Sequence, residues 1–162
     1  MAGREGFGPF FEQRYPRLVR ACFLVVRDVG LAEEIAAEAF MHLWRRWPEI
    51  HDDDHAGGFV YTTAMRLCFK RKKRADREVL GELGELPHLE EASSSLERRE
   101  IFAALAELPP RQRQSVVLRD WAGFETEEIA EMLEMQAGTV RVHLARGRDA
   151  LRRRLGTKEQ DS

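Results

Sequence analysis

Between Glu78 and Glu97 the chain carries six glutamates (78, 82, 85, 90, 91 and 97) and no lysine or arginine. Gly81, Gly84, Pro87 and the serines at 93 to 95 break the same stretch into pieces too short for any helical or strand period. Such a segment cannot bury enough apolar surface to offset its ordering entropy, so a flexible linker is expected over residues 78–95. That constrains everything else. A chain of 162 residues cut there leaves two domains, 7–77 and 96–156, each near the lower size for a self-sufficient core.

The first part reads as three helices. Phe11, Tyr15, Leu18, Val19, Cys22 and Val26 recur at steps of three and four over about Pro9 to Asp28, with Gly8-Pro9 as the entry and Gly30 as the separator. In "LAEEIAAEAFMHLWRRWPEI" the residues Ile35, Ala39, Phe40, Leu43, Trp44 and Trp47 share one face, and Pro48 ends the run. A loop, "HDDDHAGG", is expected next, followed by a third helix from Phe59 with Val60, Ala64, Leu67 and Cys68 inward. That helix aligns Arg66, Lys70, Lys73 and Arg77 in one cationic stripe. The histidines and aspartates of "HDDDH" fit a polar loop better than a metal site, since adjacent aspartates do not converge on one ion without an ordered frame.

Four short helices fit the second part: Leu96–Leu108, Pro110–Trp121, Thr126–Leu133 and Gly138–Leu155. The last two, joined by a tight turn at Glu134-Met135-Gln136, have the layout of a helix-turn-helix. Val140, Leu144, Gly147 and Leu151 would pack inward, leaving Arg141, Ala145, Arg148 and Arg152 outward with His143 and Arg146 beside them. Six arginines against the single acid Asp149 over residues 139–155 make a footprint for a phosphate backbone, with the helix N-terminus on base edges. Strand-like alternation is nowhere sustained, so the expected fold class is all-α, in two small helical domains.

Cys22 and Cys68 sit singly in apolar helical patterns, which fits a reducing cytosol and neither a disulfide scaffold nor a zinc site. No apolar run approaches the roughly 20 residues of a membrane span. The expected location is cytoplasmic, with no membrane association of its own. No metal, cofactor or catalytic residue is expected.

Three segments carry a specific likeness. "AEEIAAEAFMHLW" (32–44) resembles the region 2 helix of the sigma-70 family of RNA polymerase sigma factors. "GFVYTTAMRLCFKRKKR" (58–74) resembles the promoter-melting helix that follows it. "ALAELPPRQRQSVVLRDWAGFETEEIAEMLEMQAGTVRVHLARGRDALRRRL" (104–155) resembles region 4. Two such domains on a short linker are similar to the extracytoplasmic-function (ECF) group. The resemblance implies a transcription-initiation role: core RNA polymerase held by Glu33, Glu34, Glu38 and Trp44; single-stranded −10 DNA met by Phe59, Tyr61, Arg66, Lys70, Lys73 and Arg77; duplex −35 DNA read by Thr139, Arg141, His143, Arg146 and Arg148. It also implies an anti-sigma factor as a further partner, and a flipped base caught by the loop 50–58. The polymerase would supply all catalysis.

The chain departs from the family pattern in places. Ala37 and Glu34 stand for a glutamine and an aspartate, Arg66 for an asparagine and Phe59 for a tryptophan. Glu125 and Gln136 stand for serines that cap the two helices, with Thr126 as a substitute cap, and His143 stands for an arginine. Two other readings compete. A stand-alone helix-turn-helix regulator with an N-terminal sensor or dimerisation domain has no use for the cationic stripe on the third helix. A sigma mimic that binds only an anti-sigma factor would lack both basic faces.

Overall fold

The computed structural model describes residues 4–50, 52–75 and 95–156, with the side chains of 72–75 and 95 left aside. Every regular element in these residues is helical. The chain divides into two compact units, Met1–His88 and Leu89–Ser162. The expected linker lies almost wholly outside the described residues.

In the first unit α1 (Phe7–Val26), α2 (Val29–Arg46) and α3 (Asp53–Ala75) pack against one another around one core. Pro16 lies inside α1 and removes one amide from its ladder, a cost of about 3 kcal/mol. The run that follows absorbs it: Leu18, Val19 and every residue from Ala21 to Val26 are buried. The turn into α2 falls earlier than the spacing of Gly30 suggests. Arg27 takes a left-handed conformation (φ 62°) and its N–H donates to Phe23 O at 2.8 Å. Asp28 then caps α2, its Oδ1 accepting from the Leu31 N–H at 2.8 Å, so Gly30 sits inside the first turn.

The start of α3 is a second correction. The acidic run is a helix start and no loop: Asp52 Oδ1 accepts from the His55 N–H at 2.6 Å, and Asp53 and Asp54 occupy the first turn, where the positive helix end favours carboxylates. Gly57 and Gly58 are helical despite costing about 1 kcal/mol each relative to alanine. Residues 53–58 therefore form no base-catching loop. At the same end of the bundle Phe7, Phe10, Phe11, Tyr15, Phe40, Trp44 and Trp47 form a continuous aromatic cluster, and Trp47 Nε1 donates to Glu5 O at 3.2 Å. Cys22 of α1 and Cys68 of α3 are both buried and free; their mutual hydrogen bond and burial hold the Cys22 thiol well above its usual range.

The second unit comprises α4 (Ser95–Glu107), α5 (Pro110–Val116), α6 (Thr126–Leu133) and α7 (Ala137–Gly156). The helix expected to run from Pro110 to Trp121 changes pitch after Val116. Residues Val117–Trp121 form a wide turn in which Ala122 N–H reaches back to Val117 O at 2.9 Å. Gly123 (φ 82°) then reverses the chain. Glu125, not Thr126, stands at the N-cap of α6, and Glu128 Oε1 accepts from the Glu125 N–H at 3.1 Å. Leu105, Leu108, Val117, Leu118, Ile129, Leu133, Val140 and Leu144 fill the core. No described helix is long and apolar enough to cross a membrane.

Candidate nucleic-acid interface

Three helix faces carry the residues singled out in the sequence. On α2 the inward positions Ala32, Ile35, Ala36, Ala39, Phe40 and Leu43 are buried, which turns Glu34, Ala37, Met41 and Arg45 outward at steps of three and four. With Glu38, His42 and Arg71 of α3 they line one shallow groove. Glu38 is ion-paired to Arg71, and His42 Nε2 lies 3.9 Å from its other oxygen. Glu33 and Glu34 have no ion pair among the described residues. Trp44 is 38% exposed; its ring meets Phe7 edge-on and lies 4.0 Å beneath the Arg4 guanidinium. Trp47 and Phe40 are core. Met41, 58% exposed at the centre of this face, is a member the sequence reading missed. Its spacing from Glu34 and Glu38 would have found it.

On α3 Phe59, Thr63, Arg66 and Lys70 fall on one side, at steps of four, three and four. Arg66 and Lys70 are exposed, whereas Phe59 and Phe69 are half-buried. Thr63 Oγ1 donates back to Phe59 O at 2.9 Å. Tyr61 does not join them. Two residues along a helix is more than half a turn, and Tyr61 lies on the buried side, 5% exposed. Burial raises its pKa first, against the lowering charges of Arg17 and Arg14. Tyr61 is therefore a core residue, unavailable to stack on a base. The side chain of Lys73 and all of Arg77 fall outside the described residues.

The stripe of α7 that faces the core is Val140, Leu144 and Gly147. Gly147 is there because α5 leaves no room: a Cβ would stand 2.8 Å from Val116 Cγ2. The side opposite this stripe presents Gly138, Val142, Ala145, Arg146 and Asp149, all exposed. The expected outward set is thus rotated. Arg141 and Arg148 lie on the flank toward acids of neighbouring segments and are held by them. Arg141 Nη2 meets Glu127 Oε1 of α6 at 3.0 Å. Arg148 makes a two-pronged contact with Asp120 on the wide turn, Nε to Oδ2 at 3.0 Å and Nη2 to Oδ1 at 2.6 Å. That bond raises the Arg148 pKa further.

His143 lies on the opposite flank, half-buried, with Nδ1 buried and without a hydrogen-bond partner. Burial, then the charges of Arg146 and Arg111, lower its pKa, so the imidazole is neutral at pH 7. Thr139 and Arg146 are exposed, and Arg146 has no ion pair among the described residues. Asp120 carried no signal in the sequence, because only tertiary packing brings it 28 residues back to Arg148.

Residues 10–78 match the family described as Sigma-70 region 2, and residues 98–151 match Sigma-70, region 4. The chain is 28% identical over 158 residues to the RNA polymerase sigma-E factor of Streptomyces coelicolor, covering 96% of this chain and 89% of that one. It is 27% identical over 170 residues to the ECF RNA polymerase sigma factor SigW of Bacillus subtilis, covering 94% and 90%. Among solved structures it shares its fold with the sigma factor RpoE of Bartonella quintana, crystallised with the anti-sigma factor NepR (TM-score 0.78, 19% identity, 93% of this chain and 96% of that one). CnrH in complex with the cytosolic domain of CnrY matches with a TM-score of 0.67, at 18% identity over 96% and 89%.

Proposed function

The chain belongs to the sigma-70 family, in its ECF group, and from that membership we propose how its faces divide the work of starting transcription. It binds core RNA polymerase and directs it to promoters through −35 and −10 elements. The outer face of α2, with Glu33, Glu34, Glu38, Met41 and Trp44, docks on the polymerase. Arg66 and Lys70 of α3, with Lys73 and Arg77 beyond them in sequence, hold the separated −10 strand by its phosphates while Phe59 meets a base. The N-terminal half of α7 enters the major groove of the −35 duplex. The single observation that carries this reading is the presence of both sigma-70 regions, in order, on one chain.

No reaction is assigned to the chain itself; the polymerase makes the phosphodiester bond, and the protein acts in the cytoplasm. Of the two solved structures that share this fold, RpoE is in complex with the anti-sigma factor NepR and CnrH with the cytosolic domain of CnrY. An anti-sigma factor is the corresponding partner here, covering the same docking faces.

Abortive initiation tests the reading: purified core polymerase, with and without the protein, on a promoter from upstream of its own gene. Product should appear only with the protein, and fall when Arg66, Lys70 and Lys73 are changed to alanine. Two short helical units lose more ordering entropy on DNA alone than when the polymerase fixes their spacing, so the free protein should bind duplex weakly. Nanomolar duplex binding without polymerase, and no initiation, would instead establish a free-standing regulator.

A further inference from the structure

The exposed side of α7 has an apolar centre. Val142 is 46% exposed and lies opposite the buried stripe of Val140, Leu144 and Gly147. Four residues before it is Gly138, with nothing within 4 Å of where its Cβ would be; three residues after it is Ala145, also exposed. Neither neighbour reaches beyond Val142, so its two methyl groups are open to a surface approaching this side. Two of the charged groups stand aside. Arg141 and Arg148 are drawn to the flank by Glu127 and Asp120, whereas Arg146 and Asp149 share this side one and two turns further on.

A lone exposed valine is ordinary on a protein surface. This one occupies the centre of the face that the reading above places in a major groove. It offers neither donor nor acceptor there. The major-groove edge of DNA has one apolar group, the 5-methyl of thymine. Valine is also stiff at χ1 in a helix, so pressing it against a base costs little side-chain freedom.

We propose that Val142 is a specificity-determining residue that packs against the 5-methyl group of one thymine in the −35 element. The proposal rests on the assignment of α7 to −35 recognition. It places a thymine, on either strand, at the base pair met by the middle of the N-terminal half of α7, and it makes the preference independent of hydrogen bonding.

The test uses holoenzyme assembled from the full chain and core polymerase. A duplex pool randomised over the −35 region yields the preferred sequence, and each thymine in it is then replaced by deoxyuridine, which removes only the methyl group. The wild-type holoenzyme should lose about fourfold in affinity at one position, the worth of one buried methyl. Holoenzyme carrying Val142→Ala should bind the thymine duplex about fourfold more weakly and not distinguish thymine from deoxyuridine there. A selected −35 sequence without thymine overturns the proposal. So does a set of deoxyuridine duplexes that all bind as well as the parent, or a position whose methyl dependence persists in Val142→Ala. In each of those cases, a selected −35 preference that weakens in Arg146→Ala leaves the assignment of α7 standing. A pool that yields no −35 preference removes that assignment and the proposal together.

Discussion

Arg113 is buried to 4% exposure because two prolines make it necessary. The carbonyl of Ala106, near the end of α4, would take its helical hydrogen bond from residue 109 or 110, and both are prolines without an N–H. Arg113, one turn into α5, supplies the missing donors. Its Nη2 reaches Ala106 O at 2.6 Å and Leu108 O at 2.9 Å, and its Nε reaches Leu105 O at 2.8 Å. Leu105 O also accepts from the Leu108 N–H, so removal of the guanidinium strips Ala106 and Leu108. A buried carbonyl left unpaired costs about 1–3 kcal/mol; the Leu108 contact is buried and the Ala106 contact partly so, and the loss of both comes to about 2–4 kcal/mol for Arg113→Met. Arg113→Lys keeps the charge, but a single ammonium cannot span all three carbonyls, and about half the loss is expected. Against a typical domain stability of about 5–15 kcal/mol, the methionine variant loses much of what holds α4 to α5. Urea denaturation, with amide hydrogen exchange reading α4 to α7, measures both variants. If both fall within about 1 kcal/mol of wild type, water satisfies those carbonyls and the reasoning is wrong.

Further outcomes follow from other contacts. Gly147→Ala gains about 1 kcal/mol of helix propensity but drives a methyl into Val116 Cγ2, so a net loss of about 1 kcal/mol is expected, recovered on adding Val116→Ala; net stabilisation by Gly147→Ala alone would refute the close packing of α5 on α7. Asp120→Asn should cost less than about 1 kcal/mol of stability, both partners being nearly half exposed, while freeing Arg148 for phosphate and steepening the salt dependence of −35 duplex binding by up to about one unit. Weaker binding with an unchanged slope would mean that the pair positions α7. Because His143 has a lowered pKa in the folded state, the unfolded chain takes up the proton first as pH falls below 6.5. The second unit should therefore be most stable above that pH and lose stability as the pH drops through and below it; His143→Gln should flatten the profile in urea titrations. Glu134→Gly relieves a left-handed residue (φ 55°) in the helix-turn-helix turn and should raise the unfolding free energy by about 0.5–1 kcal/mol, which the same titrations measure.

The helices could be found from the sequence because apolar residues at steps of three and four must face one core, whatever else the chain does. Val140, Leu144 and Gly147 turned inward as their spacing required, and so did Val60, Ala64 and Cys68. Boundaries were less legible where polar side chains set them. A cluster of aspartates looks like a loop until one of them, Asp52, is seen to cap a helix that the next two begin. For Tyr61 helical phase outweighs residue type: aromatic and close to the cationic stripe in sequence, it is more than half a turn from Phe59 and lies in the core.

By itself the sequence determined the all-helical class and the membership in a family with two separate DNA-facing regions. These rest on local period and on motifs contained within single helices. Only the tertiary structure decided which cations are already engaged. Arg148 is tied to Asp120, Arg141 to Glu127, Glu38 to Arg71, and Arg113 to the carbonyls ahead of two prolines. Charge complementarity acts through space, whatever the separation along the chain, so a partner on another segment leaves no periodic trace in the sequence. The same is true of Val142, whose place at the exposed centre of α7 is set by what the opposite side of the helix buries.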